Sequence, residues 1–387
     1  MEKIDRNGPV VLIGAKPVDG FRTLARMNIP FLWIVDPEEK APATVAGAID
    51  VIHAPYRNDP LCVLGIPLPV SVRAVLSFTE LGSLPAALLS EALGLPTVPV
   101  RAVLRTRDKL LMRRTLAGVL DQPAFGVVGR DEPAPGDFPL VAKPVDGSGS
   151  RNVEYVPDAT AHAQRRTALA GHLWESFLTG VEYSVEAVSF EGRHRILGIT
   201  RKRTNGRPYF IETGHEVPAA LGPQEEQAIH SCVRRCLDAL EITVGASHTE
   251  VMVEDGRAVL IETHTRGGGD RIPLLTRLVT GADQYELAVQ SVLPWAPVRT
   301  TAPEFGCAEV RYFPWQDVTV DAVDGLADCR AADGVVEAEV QVGAGDRIPV
   351  WRYSHERPGH VVVGADDRDE LRRRVTDAVA RVRPRFR

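Results

Sequence analysis

The chain has 387 residues, 44% of them hydrophobic and 25% charged, which is ordinary globular composition and sufficient for two or three domains. A formal net charge of −6 argues against a general binder of nucleic acids or of anionic membranes. No run of 18 apolar residues and no signal-peptide pattern occurs, and the five cysteines form no Cys-x-x-Cys pair. We therefore expect a soluble cytoplasmic protein with neither nucleic-acid nor membrane partners.

Residues 1–104 alternate between strand-like and helix-like segments. The strand-like runs are predicted at 10–13, 31–35, 49–52, 72–78 and 97–100, and a helix is predicted at 83–93. Such alternation is typical of a parallel sheet with helices packed on its faces. The sequence therefore predicts a small parallel α/β domain at the N-terminus.

A second unit is predicted over residues 105–300, with a small lobe over about 105–175. It opens with a helix predicted at 106–120 and capped by Thr106. A strand at 139–144, a glycine–serine loop at 146–152 and a strand at 153–156 follow. Such a loop offers backbone N–H groups and hydroxyls to a polyphosphate, so the candidate phosphate contacts in it are Ser148, Gly149 and Ser150. An ordinary hairpin loop is the alternative interpretation.

Lysine is rare in this chain, since only six of the 45 basic residues are lysines. Three of the six, Lys109, Lys143 and Lys202, lie in the second unit. A compact ammonium and a planar guanidinium are not interchangeable at a phosphate, so these positions are candidates for phosphate binding. Lys143 lies on the strand that leads into the glycine–serine loop, where it would neutralise phosphate charge.

A β-hairpin is predicted over residues 248–264, and its register decides the chemistry. A two-residue turn at Asp255-Gly256 would put Glu250 opposite Ile261 and place the two glutamates on opposite faces. A three-residue or bulged loop at 255–257 puts Glu250 opposite Glu262. We predict this second register, which also puts His248 opposite His264. It leaves one apolar face, made of Thr249, Val251, Val253, Val259 and Ile261.

Two carboxylates that face each other across a sheet repel, and a bound divalent cation is the simplest reason to tolerate them. Glu250 and Glu262 are therefore predicted metal ligands. The alternative is a solvated face that carries two unrelated carboxylates.

From residue 301 to residue 387 the composition changes to short, valine-rich, strand-like runs separated by glycines. This segment ends in a basic helix predicted at 367–382. We interpret this segment as a third, lid-like subdomain.

Taken in chain order, these parts match a known set of motifs. The motifs are Arg-Asp-Lys-Leu-Leu-Met-Arg at 107–113, Val-Ala-Lys-Pro-Val-Asp-Gly-Ser-Gly-Ser at 141–150, Trp-Glu-Ser-Phe-Leu-Thr-Gly-Val-Glu-Tyr-Ser-Val-Glu at 174–186, Glu-Thr-Gly-His-Glu-Val-Pro-Ala at 212–219, His-Thr-Glu-Val at 248–251 and Ile-Glu-Thr-His-Thr-Arg-Gly-Gly-Gly-Asp at 261–270. They resemble those of ATP-grasp enzymes, and within that superfamily of carboxylate–amine ligases of the L-amino-acid ligase kind. The resemblance implies an α/β (α+β) ATP-grasp fold with a parallel α/β domain, a nucleotide-binding domain and a C-terminal lid-like subdomain.

The resemblance also implies a function and a set of site residues. It implies an ADP-forming ligase that activates a small carboxylate as an acyl phosphate and joins it to an amine, using ATP and Mg²⁺. The implied nucleotide contacts are Lys109, Lys143, Glu175, Ser176, Phe177, Leu178 and Glu182. The implied metal ligands are Glu250, Glu262 and His264, and the implied catalytic residues are Arg266, Lys143 and Lys202. The candidates on the substrate side are His215, His248, Gly268, Arg271 and Arg311.

One residue departs from the family pattern. His264 occupies a position where the family usually has asparagine, and an imidazole nitrogen is a softer ligand than an amide oxygen. Three roles stay open for His264: a weak ligand of Mg²⁺, a ligand that shifts selectivity toward Mn²⁺, or a hydrogen-bonding neighbour of the metal ligands.

Other functions stay open on the sequence alone. They are an ATP-grasp carboxylase or purine-pathway ligase, a non-catalytic nucleotide-binding protein, and a transition-metal site at residues 248, 250, 262 and 264. The family often forms homodimers, so the resemblance implies a homodimer. No motif in the sequence indicates the oligomeric state.

Overall fold

The N-terminal segment of the computed structural model forms a parallel α/β unit. The structure describes residues 8–15, 18–42, 45–69, 71–130, 137–147, 149, 151–299 and 301–387. The elements of this unit are β1 (Val10–Ile13), α1 (Val18–Arg26), β2 (Phe31–Val35), β3 (Ala48–His53), β4 (Ala74–Ser77) and α2 (Glu80–Ala92). Its four strands are all parallel, in the order β3-β2-β1-β4, which confirms the predicted parallel domain.

The prediction of a strand at 97–100 is wrong. Pro96 and Pro99 each lack a backbone N–H donor, and Pro99 occupies the N-cap position of helix α3 (Val100–Arg107). The single helix predicted at 106–120 is also wrong. Helix α3 ends at Arg107, Asp108 has an extended backbone, and a second helix, α4 (Lys109–Leu116), follows. The side chain of Asp108, not that of Thr106, accepts the capping hydrogen bond, from the backbone N–H of Leu111.

A small antiparallel sheet carries the predicted glycine–serine loop. Its elements are β5 (Phe125–Val127), β6 (Leu140–Lys143), β7 (Glu154–Val156), α5 (Ala159–Leu169) and β8 (Leu173–Ser176), and the strand order is β5-β8-β6-β7. The loop joins the paired strands β6 and β7, as predicted. Ser148 and Ser150 lie outside the described residues.

A central eight-stranded sheet forms the floor of the molecule. Its first five strands are β9 (Val181–Phe190), β10 (Arg193–Thr204), β11 (Glu212–Val217), β12 (Gly245–Glu254) and β13 (Arg257–His264). The same stretch of chain forms the helices α6 (Pro223–Ala239), α7 (Ile272–Thr280) and α8 (Gln284–Val292). Apolar residues of β9, β10, β12 and β13 pack on α6 on one face of this sheet. Polar residues of the same strands are thereby left on the opposite face.

The C-terminal segment extends this sheet. Its elements are β14 (Cys307–Tyr312), β15 (Val318–Asp324), α9 (Leu326–Arg330), β16 (Val335–Val340), β17 (Arg347–Ile348), β18 (Gly359–Ala365), α10 (Arg368–Arg381) and β19 (Arg383–Phe386). The strand order of the large sheet is β13-β12-β9-β10-β11-β14-β18-β16, while β17, β15 and β19 form a separate small sheet. The domain boundary at 300 stays a prediction.

In the hairpin of β12 and β13 the two glutamates are paired as predicted, but the turn and the bulge that produce this pairing differ from the predicted loop. Glu250 lies opposite Glu262, and His248 lies opposite His264. The turn, however, has two residues, Asp255 (φ 50°) and Gly256 (φ 74°), which is the left-handed conformation that such a turn needs. The register shifts at a bulge between Leu260 and Glu262, and the extra residue of that bulge restores the pairing of the glutamates.

The bulge also changes the apolar face of the hairpin. Val251 lies opposite Leu260 and Val253 lies opposite Ala258, and these four side chains join the core under α6. The predicted membership of Val259 and Ile261 in that face is therefore wrong. No helix in the described part of the chain is long and apolar enough to cross a membrane.

Candidate active site

A cleft lies between the small antiparallel sheet and the polar face of the large sheet. The predicted site residues that line it are Lys109, Lys143, Gly149, Glu175, Ser176, Phe177, Leu178, Glu182, Lys202, Glu250 and Glu262. These residues come from α4, β6, β8, β9, β10 and the hairpin, so they are gathered from more than 150 positions of chain. The fold therefore brings together most of the side chains that the sequence singled out.

Two of the three lysines of the second unit line the cleft, Lys109 from α4 and Lys143 from β6 of the small sheet. Lys143 Nζ is 2.8 Å from Glu175 Oε2, and Lys109 Nζ is 3.3 Å from Glu262 Oε2. Lys109 Nζ also donates to the carbonyl of Gly147, in the glycine–serine loop, at 2.7 Å. Burial alone would lower the pKa of Lys109, but the carboxylates of Glu262, Glu80 and Glu175 together raise that pKa. Both ammonium groups thus face the cleft, each beside a carboxylate.

The third lysine lies among three carboxylates. Lys202 Nζ pairs with Glu182, lies 2.7 Å from Glu250 Oε1 and lies 3.7 Å from Glu212 Oε1. Burial opposes its charge, but the three carboxylates raise the pKa of Lys202 well above its usual value. Burial raises the pKa of Glu182 in spite of this lysine. Lys202 therefore offsets the negative charge of a strongly acidic patch.

The hinge segment 175–178 joins the small sheet to the large one. The N–H of Ser176 donates to the carbonyl of Ala124 at 2.9 Å, and the N–H of Phe177 donates to the carbonyl of Pro139 at 3.0 Å. These two groups are therefore not available to a bound base. The ring of Phe177 lies 5.8 Å from the ring of Phe210, and both line the cleft. An apolar planar group would fit against these rings.

Each carboxylate of the hairpin has cationic neighbours. Glu250 has Lys202 and His248, and Glu262 has Lys109 and His264. Burial opposes their ionisation, yet these cations hold the pKa of both glutamates below the usual range. Two ionised carboxylates that face each other on a rigid hairpin are a donor set that suits Mg²⁺.

Arg266 and His264 do not line the cleft surface. Arg266 Nε donates to Glu80 Oε2 at 2.8 Å, and its Nη1 donates to the carbonyl of Gly267 at 2.8 Å. His264 lies between Glu262, at 3.1 Å, and Glu80, at 2.9 Å. Helix α2 of the N-terminal unit thus reaches the open end of the hairpin.

The glycine-rich segment after the hairpin is held by a buried carboxylate. The N–H of Gly268 donates to Glu186 Oε2 at 2.9 Å, and Glu186 Oε1 bonds to His248 Nδ1. Burial opposes the charge of His248, but Glu186 and Glu250 raise its pKa to about 9. Gly268 and His248, both predicted on the substrate side, thus lie side by side.

Replacing Gly268 by alanine should destabilise the protein, because its new Cβ would lie 2.8 Å from His248 Nδ1 and 2.9 Å from Glu186 Oε1. We expect the free energy of unfolding to fall by about 1–3 kcal/mol in urea denaturation. Gly269→Ala is the matched control, because a Cβ on Gly269 would have no atom within 4 Å in the described structure, and this variant should stay within about 0.5 kcal/mol of the parent. Equal effects of the two substitutions would contradict the packing argument.

His215 belongs to a second polar cluster beside the cleft. His215 Nε2 lies 3.2 Å from Asp270 Oδ2, and Arg357 binds both oxygens of Asp270 at 2.7 Å. The guanidinium of Arg357 also lies over the ring of Tyr312, 3.7 Å from its centroid. Burial would raise the pKa of Asp270, but His215 and Arg357 lower it overall. His215 Nδ1 is buried without a hydrogen-bond partner among the described residues.

The remaining two substrate candidates lie elsewhere. Arg271 pairs with Glu337 at 2.7 Å, on β16. Arg311 bonds to Glu309 Oε1 at 2.7 Å through Nε. Since Val310 is paired with His215 on the cleft face, its neighbour Arg311 points to the opposite face of the sheet. The structure does not bring Arg311 into the site.

Arg113, Glu212 and Phe210 are among the cleft-lining residues to which the sequence reasoning gave no role. Arg113 is fully buried and bonds to Glu175 Oε1 at 2.7 Å and to the carbonyls of Leu260 and Ile261. Its position one helical turn after Lys109 was a usable signal. Glu212 was part of a motif without an assigned role, and Phe210 had no signal in the sequence.

Family models match two parts of the chain. The ATP-grasp domain matches residues 136–273, and the L-amino acid ligase C-terminal domain 2 matches residues 311–387. The first match covers three of the four strands of the small sheet, the hinge and the carboxylate hairpin. The second covers β16 and β18 of the large sheet and the separate sheet of β15, β17 and β19.

Three curated relatives are similar to the chain over part of its length. They are an uncharacterized protein, y4rH, of Sinorhizobium fredii (29% identity over 60% of this chain and 50% of that protein), carnosine synthase 1 of Gallus gallus (28%, over 43% and 20%) and dapdiamide A synthase of Enterobacter agglomerans (26%, over 40% and 39%). The chain thus matches half or less of the length of each relative.

The crystal structure of an L-amino acid ligase from Bacillus licheniformis has the same fold. It superposes with a TM-score of 0.86 at 23% sequence identity, over 99% of this chain and 100% of that one. Together with the matching domain models, this likeness confirms the ATP-grasp fold and the resemblance to L-amino-acid ligases.

Proposed function

We propose that this chain, which carries an ATP-grasp domain and an L-amino acid ligase C-terminal domain, is an ADP-forming carboxylate–amine ligase. The observation that carries the proposal is the pairing of Glu250 with Glu262 across the hairpin, beside the charged Lys109 and Lys202. Cations and carboxylates in this arrangement suit the transfer of a phosphoryl group.

ATP would occupy the cleft between the two sheets. The hinge at 175–178 would hold adenine beside Phe177 and Phe210, and Glu182 would accept from the ribose hydroxyls. Lys109 and Lys143 would exchange their present carboxylate partners for phosphate oxygens. The contact of Lys109 with the carbonyl of Gly147 supports this, because it places the glycine–serine loop over the same ammonium group.

Mg²⁺ would be held by Glu250 and Glu262, whose carboxylate oxygens are the ligands that this ion prefers. When bound, Mg²⁺ neutralises charge on the phosphates. The two glutamates fit this role because both are ionised and face the same side of the hairpin.

The proposed reaction has two steps. A substrate carboxylate oxygen attacks the terminal phosphorus of ATP and ADP leaves, which gives an acyl phosphate. An amine then attacks the carbonyl carbon, loses a proton and expels inorganic phosphate, which gives an amide. Lys143 and Lys202 would support the transferred phosphoryl group. Arg266, which lies outside the cleft lining at the open end of the hairpin, would act on the acyl phosphate from that end and stabilise negative charge on its oxygens.

The substrates we propose are amino acids or related small acids. The proposal rests on the domain match at 311–387, which is a sequence match to L-amino acid ligases and favours amide formation over carboxylation or a purine-pathway acceptor. Carnosine synthase 1 and dapdiamide A synthase, which are similar to parts of the chain, are also synthases by name.

The test is a phosphate-release screen of amino acids, singly and in pairs, with ATP and Mg²⁺. We expect ADP and inorganic phosphate to form in equal amounts with an amide product, identified by mass spectrometry. Formation of AMP and pyrophosphate would contradict the proposal. ADP release that depends on bicarbonate without an added amine would favour a carboxylase instead.

A further inference from the structure

Each of the two histidines of the hairpin lies between two carboxylates. His248 lies between Glu250, 3.2 Å from its Nε2, and Glu186, which bonds to its Nδ1. Glu186 is fully buried, and its other oxygen accepts from Gly268. The imidazole of His248 is thus a spacer between a predicted metal ligand and a carboxylate on the next strand.

His264 also lies between two carboxylates, one of which comes from the N-terminal unit. Its Nε2 lies 3.1 Å from Glu262 Oε1, and its Nδ1 lies 2.9 Å from Glu80 Oε2, a charge contact without hydrogen-bond geometry. The rings of His264 and His248 are stacked, with centroids 6.2 Å apart and an angle of 26° between the planes. Each glutamate of the metal site is therefore followed by a histidine and then by a second carboxylate.

A carboxylate beside one ring nitrogen of a histidine orients that ring, whether the other nitrogen binds a metal ion or contacts a ligand of that ion. In His264 both ring nitrogens lie next to carboxylates, one on Glu262 and one on Glu80. His264 is therefore placed to orient Glu262, and the carboxylate of Glu80 is placed to orient His264.

The same oxygen of Glu80 also reaches Arg266. Glu80 Oε2 accepts from Arg266 Nε at 2.8 Å, so one carboxylate oxygen contacts two side chains at the open end of the hairpin, Arg266 by a hydrogen bond and His264 by charge. Among the described residues, Glu80 is the N-terminal unit's carboxylate that pairs with this end of the hairpin.

The backbone that carries Glu80 is firmly held. Glu80 begins α2, and the preceding residue, Thr79, caps this helix by accepting from the N–H of Gly82 at 2.9 Å. A Cβ at Gly82 would lie 2.4 Å from Ser77 Oγ and 2.8 Å from the carbonyl of Ile13, so the helix is packed closely against β1 and β4. Glu80 thus projects from a rigid part of the parallel domain.

We propose that Glu80 is a positioning residue that sets the orientation of His264, and through it of Glu262, together with that of Arg266. The N-terminal domain thereby completes the metal end of the cleft. The inference rests on the metal role of Glu262 in the proposed function, but not on which acid and amine are joined.

The test compares Glu80→Gln with the parent protein in a binding measurement. Thermal stabilisation by a fixed, saturating concentration of ADP is recorded while MgCl₂ is varied. We expect Glu80→Gln to raise the half-saturating Mg²⁺ concentration about tenfold or more, since loss of a partner that orients a metal ligand has effects of that size. Because this readout needs no turnover, it stays informative if no acid and amine pair yields ADP.

A kinetic comparison separates positioning from simple loss of stability. In the phosphate-release assay, Glu80→Gln should lower kcat about tenfold or more, while KM for ATP changes less than about twofold. Glu80→Asp, which keeps the charge on a shorter side chain, should recover part of kcat. Glu91→Gln is the matched control, because Glu91 lies on the same helix and bonds to the N–H of Val100, away from the cleft.

Two results would overturn the inference. One is a Glu80→Gln protein with the Mg²⁺ dependence and kcat of the parent, even if it melts at a lower temperature. The other is loss of Mg²⁺ binding in His264→Asn without any change in Glu80→Gln, since that would make His264 a metal ligand that acts independently of Glu80.

Discussion

Replacing Glu262 by glutamine should lower turnover at least about a hundredfold while the fold stays intact. Glu262 lies opposite Glu250 and is paired with Lys109 and His264, so it is proposed to hold Mg²⁺ against the transferred phosphoryl group. Loss of about 3 kcal/mol of transition-state stabilisation corresponds to this factor. The measurement is kcat for ADP release at saturating ATP and Mg²⁺.

Stability should fall only moderately, and this separates chemistry from folding. Removing one of two opposed carboxylates relieves their repulsion, which offsets part of the lost pairing with Lys109 and His264, the cations that lower the pKa of Glu262. We expect the free energy of unfolding to fall by about 1–2 kcal/mol, with the variant still folded at the temperature of the assay. Glu191→Gln, at an exposed turn between β9 and β10, is the control and should keep full turnover. Turnover within tenfold of the parent in Glu262→Gln would remove the metal role of this residue.

The hairpin shows how far the sequence could go. The composition of its strands and the Asp255-Gly256 turn were sufficient to predict a hairpin. The predicted pairing of Glu250 with Glu262 is confirmed, but the apolar face used to choose it wrongly included Val259 and Ile261. The sequence did not locate the bulge at Ile261, because a bulge depends on which carbonyls find partners outside the hairpin. Here the partner is Arg113, from a helix about 150 positions earlier in the chain.

In the candidate site, too, some residues could be placed from the sequence and others could not. Residues whose roles depend on their own strand, such as Lys143, Lys202 and Glu250, lie in the cleft as the motifs predicted. Residues whose surroundings come from another domain were harder to place. The partner of Arg266 and His264 is Glu80, on a helix that the sequence marked only as part of the N-terminal domain.

Arg311 failed for a simpler reason. Its side chain alternates with that of Val310 along β14, and the strand's register against β11 puts Val310, not Arg311, on the cleft face. The sequence could not determine which face of this strand looks into the cleft, since that depends on long-range pairing.

Replacing Arg113 by methionine should destabilise the protein strongly. The guanidinium is fully buried, and it bonds to Glu175 Oε1 at 2.7 Å, to the carbonyl of Leu260 at 2.9 Å and to that of Ile261 at 2.6 Å. Methionine fills similar space but leaves these acceptors without a donor, with Lys143 as the remaining cation beside Glu175 in the described structure. Removing one partner of a buried ion pair costs about 3–5 kcal/mol, which urea denaturation would measure.

The same substitution should weaken nucleotide binding, because Arg113 joins the hinge carboxylate Glu175 to the bulge that precedes Glu262. We therefore expect KM for ATP to rise in Arg113→Met even at a temperature where the variant is fully folded. Arg114→Met is the control, since Arg114 is exposed on the same helix and should leave both stability and KM near those of the parent. A stable Arg113→Met variant would mean that the bulge keeps its geometry without the guanidinium. In that case Ile261 and the pairing of Glu250 with Glu262 would be determined by the hairpin alone.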